Sequence, residues 1–196
     1  MQVYVTGTQP KVDERYLPFN VTHDEGLLMH AVDALFDSLP AIDLLVYAAG
    51  QKEDGHIDER TAEEIRTQIH LGLTAPALIL KKLLEKQGHV GGFIVITSTS
   101  QWSPREREPV YAASKAGLSM LAESVSLDER ITKTLVVGPA ALDTDFWKGT
   151  KAPKEGALSP RWVAEEVVKQ WEDSYVFRMV KILREPERVE VVTTRS

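Results

Sequence analysis

The chain has 196 residues, 43% of them hydrophobic and 27% charged, and its 23 basic and 29 acidic side chains leave a net charge of −6. That length fits one domain, residues 1–196, with a proper core, and is too short for two of ordinary size. No apolar run approaches the roughly 18 residues that span a bilayer, and the acidic balance gives no electrostatic reason to bind nucleic acid or an anionic membrane.

Cysteine is absent, which removes disulfide frameworks and thiol nucleophiles. Met1–Val5 shows no basic segment leading into an apolar stretch, so the expected location is the cytoplasm and the expected partner a small molecule or another protein.

Val3–Thr6 alternates and is rich in β-formers, which predicts a short strand, and Gly7-Thr8-Gln9-Pro10 reads as a turn. Arg15–Phe19 predicts a second strand, with Pro18 at its edge or end because it has no N–H. Thr22 with Glu25 reads as a capping box that opens a helix carrying Leu27, Leu28, Ala31, Val32, Leu35 and Phe36. Ile42–Tyr47 is a nearly continuous apolar run of strand length, ending at Ala48-Ala49-Gly50.

A second capping box, Thr61 with Glu64, opens a long helix with Pro76 as a kink and Gly88 as its stop. Phe93–Ile96 is the next buried strand, and Tyr111 to about Ser126 reads as a helix of small residues and leucines. Thr134–Val137 predicts a strand that breaks at Gly138-Pro139. Ser159-Pro160 starts a helix whose apolar spacing runs from Trp162 to about Leu183, and Glu190–Thr193 is a last short strand. Lys148–Gly156 is the expected mobile loop. Strands alternating with helices of this length imply a mostly parallel sheet with helices on both faces, whose ligands bind at the carboxyl ends of the strands.

Three side chains carry candidate chemistry. Ser98 follows the Phe93–Ile96 strand, Tyr111 comes thirteen residues later, and Lys115 lies one helical turn beyond it on the same face. A tyrosine with an ordinary pKa near 10 needs a neighbouring cation to do acid–base work at neutral pH, and Lys115 is placed to lower it. Ser98 would donate a hydrogen bond to a substrate carbonyl. The plain alternative is a Tyr packed on its sheet beside a solvated Lys. His23, His30, His56, His70 and His89 show no metal-ligand spacing, so no metal is expected.

The stretch Val110-Tyr111-Ala112-Ala113-Ser114-Lys115-Ala116-Gly117-Leu118 resembles the active-site helix of the short-chain dehydrogenase/reductase (SDR) family, with Ser98 at that family's serine spacing. Ile42–Gly50 resembles its strand ending in Asn-Asn-Ala-Gly, Leu71–Pro76 the start of its central helix, and Val137–Phe146 its nicotinamide-contacting Pro-Gly-x-x-x-Thr segment. The resemblance covers roughly residues 15–147. It implies a Rossmann-like three-layer α/β/α sandwich, catalytic Ser98, Tyr111 and Lys115, and NAD or NADP bound by Asn20, Val21, Ala48, Ala49, Gly50, Lys115, Pro139 and Thr144. Thr144 reads equally as a helix N-cap. A small-molecule carbonyl or alcohol would be the substrate. The family's subunit interface on the Tyr-bearing helix implies a homodimer or homotetramer, with Ala112, Ala113, Ala116 and Gly117 permitting close packing.

The departures are specific. The family's Thr-Gly-x-x-x-Gly-x-Gly turn, whose amides cradle the pyrophosphate, has no counterpart after Thr6-Gly7. By spacing Met1–Gly7 fits the family's second strand, leaving the first βα unit missing; the alternative is that it fills the first strand's place and the next unit is gone. Asn-Asn-Ala-Gly has become Tyr47-Ala48-Ala49-Gly50, Asn20 stands for the family's Asp, Pro-Gly is Pro139-Ala140, and the helix asparagine falls on Gly72, with His70 nearby read either as its substitute or, as is commoner for a lone histidine, as a packed or solvated side chain. Two or three missing amide–phosphate bonds at roughly 1.5–3 kcal/mol each weaken cofactor binding by about 3–9 kcal/mol. Two readings follow: an oxidoreductase using Ser98, Tyr111 and Lys115, or a non-catalytic family member acting as a binding or oligomeric structural subunit. The mixed-charge loop Pro104–Pro109 borders a substrate pocket on the first reading and is simply solvated otherwise, and Trp147, Trp162 and Trp171 fall where the family builds its lid, with core packing as the plain alternative.

Overall fold

The computed structural model describes residues 2–7, 15–51, 53–147 and 156–196. β1 (Val5–Gly7) and β2 (Tyr16–Pro18) pair in parallel as a two-stranded sheet, and Pro18 ends its strand as its missing donor requires. The expected turn residues Thr8–Pro10 lie outside the described residues, as do residues 148–155 of the expected loop.

α1 (Glu25–Ser38) is capped by Asp24 and not by Thr22: Asp24 Oδ1 accepts from the Leu27 N–H at 2.9 Å, while Thr22 Oγ1 accepts from the Asp24 N–H at 3.2 Å. Both residue types cap well, and the acidic one stands two residues closer to the apolar stripe Leu28, Val32, Leu35 and Phe36. β3 (Leu44–Tyr47) follows, then α2 (Ala62–Ile69), whose Thr61 and Glu64 bond each other's backbone reciprocally as predicted.

The predicted kink before Pro76 is a π-helical turn, His70–Thr74, leading into α3 (Ala75–Gln87). Its cause is legible in the hydrogen bonds. The Ala75 N–H reaches back five residues to the His70 carbonyl, and Pro76 has no N–H, so the Leu71 carbonyl loses both of its possible backbone donors. The Tyr47 hydroxyl, reaching across from β3, donates to that carbonyl at 2.5 Å. Gly88 closes α3 in the left-handed region at φ 75°.

β4 (Gly92–Ile96), α4 (Pro109–Val125) and β5 (Thr134–Pro139) come next. β5 does not break at Gly138-Pro139: both residues remain in parallel register with Lys181 and Ile182 of the following strand. α5 (Pro160–Glu172) is shorter than its apolar spacing predicts, because residues 177–184 form a strand, β6 (Phe177–Arg184). β7 (Glu187–Arg195) is correspondingly longer than expected and pairs antiparallel with β6. The run Phe177-Arg178-Met179-Val180 satisfies helical spacing and β-strand alternation alike, and a place beside β5 decides for the strand.

The sheet order is β3-β4-β5-β6-β7, with the first four strands parallel. This is a Rossmann-like α/β fold. α1, α3 and α4 cover one face, burying Phe93, Val95, Val136 and Phe177, and α5 covers the other through Val163 against Ile94, Leu135 and Val137. Among the described residues no strand joins β1 to β3, and Val46 on that edge is 51% exposed. The registers align the carboxyl ends of β3, β4 and β5, so the loops that follow them converge. No helix among the described residues is long and apolar enough to cross a membrane.

Candidate active site

Ser98 stands just beyond β4 in extended backbone (φ −166°) and opens a single 3-10 turn, its Oγ accepting from the Ser100 N–H at 3.1 Å. α4 brings Tyr111 close enough for Ser98 to act on its phenol, while the Ser98 hydroxyl itself donates to Ser100 Oγ at 3.2 Å. Tyr111 is 8% exposed and Lys115 3%. One turn along α4, Lys115 Nζ donates to the carbonyls of Ala49 and Ile96, each at 3.1 Å, which pins the side chain across the ends of β3 and β4. Its ammonium lies 5.7 Å from the centroid of the Tyr111 ring.

Burial dominates the electrostatics. It pushes the Tyr111 phenol up to about 12, a rise that Ser98 opposes. Burial also brings Lys115 down to about 8 from its ordinary 10.5. The expectation that Lys115 pulls Tyr111 below its ordinary value is therefore corrected: loss of hydration dominates, and the lysine's donors are directed to two carbonyls.

The other predicted residues fall as follows. Ala48, Ala49 and Gly50 follow β3, and a Cβ on Gly50 would lie 3.5 Å from Lys115 Nζ. Pro139 ends β5 and is buried. Thr144 Oγ1 accepts from the Phe146 N–H at 3.3 Å, capping the short turn Asp145–Trp147, and Phe146 leans on Tyr111 with ring centroids 6.0 Å apart. Asn20 and Val21 follow β2; Val21 packs against the core.

Tyr47, where the family has its first asparagine, is buried and raised above the usual phenol range by that burial. Gly72, at the family's asparagine position, presses on Ser114 so closely that a Cβ there would collide with the serine's Cβ and Oγ. His70 Nδ1 is engaged with the Thr22 carbonyl at 2.8 Å.

Arg105 Nε donates to Ser100 Oγ at 3.3 Å, which places the Pro104–Pro109 loop beside the serines. Trp162 and Trp171 pack on the α5 side of the sheet, and Trp147 Nε1 donates to the Leu142 carbonyl at 2.8 Å. No cluster of metal-ligating side chains occurs among the described residues.

Sequence reasoning missed Glu53. This carboxylate is 6% exposed and its Oε2 accepts from the Tyr111 N–H at 2.6 Å. The signal was present in negative form: α4 begins Glu108-Pro109, and the N-cap residue Glu108 makes no side-chain capping bond. A cavity of about 290 Å³ lies beyond Glu53, lined also by Gln51, Arg60, Thr61 and Gln68, and includes none of Ser98, Tyr111 and Lys115.

The residues fit one end of a nicotinamide cofactor. Lys115 bonds the Ala49 carbonyl, and the absence of a Cβ at Gly50 leaves open the space beside the lysine Nζ where a ribose hydroxyl would reach it. Among the described residues, α1 and α4 have carboxylates on their first-turn amides, α2 is closed by its Thr61–Glu64 box and α5 by Ser159, so none of these four helix starts is left open for a pyrophosphate.

The family model described as short chain dehydrogenase matches residues 6–155. An uncharacterized oxidoreductase of Staphylococcus epidermidis is 26% identical over 144 residues, 69% of this chain; the chain spans 60% of that relative's length. Among solved structures, an alcohol dehydrogenase from the archaeon Thermococcus sibiricus complexed with 5-hydroxy-NADP aligns with a TM-score of 0.71 at 20% identity, covering 89% of this chain and 76% of its own. A short-chain dehydrogenase from Sphingobium yanoikuyae in complex with NADPH aligns at 0.68 and 22%, covering 80% and 63%.

Proposed function

We propose a function from one premise: the chain belongs to the short-chain dehydrogenase/reductase family, an oxidoreductase family whose model matches most of its length. Within it we read the protein as an NAD(P)-dependent carbonyl reductase or alcohol dehydrogenase acting on a small molecule through Ser98, Tyr111 and Lys115. The observation that carries this reading is the placement of the three: a buried phenol beside the serine, with a lysine one turn away fixed across two strand ends.

Each residue then has a defined task. With its pKa raised to about 12, Tyr111 keeps its proton at neutral pH and offers it to a carbonyl oxygen as a general acid. Ser98 gives that oxygen a second hydrogen bond and steadies the phenolate left behind. Lys115, still mostly charged at neutral pH with a pKa of about 8, adds a buried positive charge and would hold the ribose of a bound cofactor. A bound nicotinamide would supply the hydride. Ala48–Gly50, Pro139 and Thr144 would hold its nicotinamide end, with Asn20 and Val21 toward the adenosine.

A second reading, a non-catalytic binding or structural subunit, is favoured by one observation: the described starts of α1, α2 and α4 are already capped and offer a pyrophosphate no open amides. We further propose assembly into a homodimer or homotetramer through α4. Its outward stripe comprises Ala113, Ala116 and Met120, the last 62% exposed, whereas Ala112 is buried and Gly117 packs against Leu73 of its own chain.

Titration calorimetry with NADH and NADPH tests the activity reading. Saturable heat that disappears in Lys115→Ala supports it; no heat up to millimolar cofactor selects the non-catalytic reading.

A further inference from the structure

Glu53 is a buried carboxylate that the chemistry above does not use. Burying an ionisable group costs free energy unless its hydrogen bonds are rebuilt, yet only one of its oxygens is bonded; Oε1 has no hydrogen-bond partner among the described residues. Its one bond, from Oε2, goes to the Tyr111 backbone N–H. Tyr111 is the third residue of α4, the place where an N-cap side chain normally accepts, and Pro109 at the first position has no N–H to offer. Glu53 therefore performs from 58 residues away the capping that Glu108 does not. The partial positive charge of the helix start is what offsets its burial.

The link is reinforced on both sides. The Gly55 N–H donates to the Arg107 carbonyl at 2.9 Å, and Arg107 Nε donates to Asp54 Oδ1 at 2.9 Å, so the segment after β3 is clamped to the segment before α4. Lys115 is tied to the same segment through Ala49. Both functional side chains of α4 thus take their position from the loop after β3.

We propose that Glu53 is the positioning residue of the site: by capping α4 at the Tyr111 amide it sets the depth of the helix start and so aims the phenol at Ser98. This deepens the catalytic reading of Tyr111 and rests on it, but its test uses neither cofactor nor substrate, so the two can fail separately.

The test is nuclear magnetic resonance on full-length chain labelled with carbon-13 at the tyrosine ζ position, which gives five signals, Tyr111 being assigned by Tyr111→Phe. In the parent, Ser98→Ala moves the Tyr111 signal because it removes the hydroxyl beside the phenol. In Glu53→Ala that response is lost while Tyr4, Tyr16, Tyr47 and Tyr175 keep their positions, and Glu53→Gln restores it because its amide oxygen accepts from the same N–H. If Glu53→Ala does not fold, Glu53→Asp decides: it keeps the charge but falls short of the amide, and the Ser98 response shrinks. A full parental response in Glu53→Ala, or in Glu53→Asp where the alanine variant is unfolded, overturns the proposal.

Discussion

Replacing Tyr47 by Phe removes one oxygen and leaves the ring. The structure specifies the cost. The hydroxyl is the donor to the Leu71 carbonyl, which the π-helical turn and Pro76 have deprived of backbone partners, and the ring beneath it is buried. An unsatisfied buried carbonyl costs about 1–3 kcal/mol. For a domain of this size that lowers the melting temperature by about 3 °C per kcal/mol, or roughly 3–9 °C. Urea denaturation followed by circular dichroism reads the loss.

The decisive arm is a double-mutant cycle with Pro76→Ala. That substitution restores an N–H at the position five residues beyond Leu71, so Tyr47→Phe is expected to cost less in the Pro76→Ala background, by about 1 kcal/mol or more. Equal costs in both backgrounds would refute the claim that Tyr47 stands in for a missing backbone donor.

Further outcomes follow from the same geometry. Gly72→Ala collides with Ser114 and is expected to cost about 1–3 kcal/mol, largely recovered in Ser114→Gly, since the gain in helix propensity is smaller than the overpacking penalty. For Lys115, a folded pKa of about 8 below an unfolded 10.5 means that the unfolded chain holds more protons between these values, so stability rises with pH there. Between pH 8 and 9, below the range where tyrosines ionise, the rise is about 1 kcal/mol, and Lys115→Met is expected to lack it in urea titrations. Ser98→Ala removes the hydroxyl that opposes the upward shift of Tyr111, so the phenol is expected to ionise at still higher pH, seen as a later tyrosinate absorbance step assigned with Tyr111→Phe. Met120→Lys puts a charge on the exposed stripe of α4 and is expected to reduce the sedimentation coefficient to that of a monomer; an unchanged coefficient in an oligomeric parent moves the interface elsewhere.

Much of the fold is written in residues whose local and tertiary preferences agree. Thr61 and Glu64 announce α2 because both halves of the reciprocal cap lie in four residues, and the apolar runs of β3 and β4 read as strands because both of their faces meet cover. The C-terminal third was misread where the preferences diverge: residues 177–184 fit two periodicities, and pairing with β5, invisible in the local pattern, chooses one. In the site, Ser98, Tyr111 and Lys115 were legible from spacing along one strand end and one helix. The sign of the Tyr111 shift was not, since it depends on burial. Glu53 was hidden for a similar reason: 58 residues separate it from the amide it caps, and nothing local to it marks the contact.

The most direct test of the catalytic reading is loss of reduced-nicotinamide absorbance when the purified chain is mixed with NADPH or NADH and a panel of aldehydes and ketones, Tyr111→Phe serving as the control. The account predicts carbonyl-dependent oxidation of the cofactor that is abolished in Tyr111→Phe. Oxidation that persists in that variant, or none with either cofactor at millimolar concentration, would contradict it.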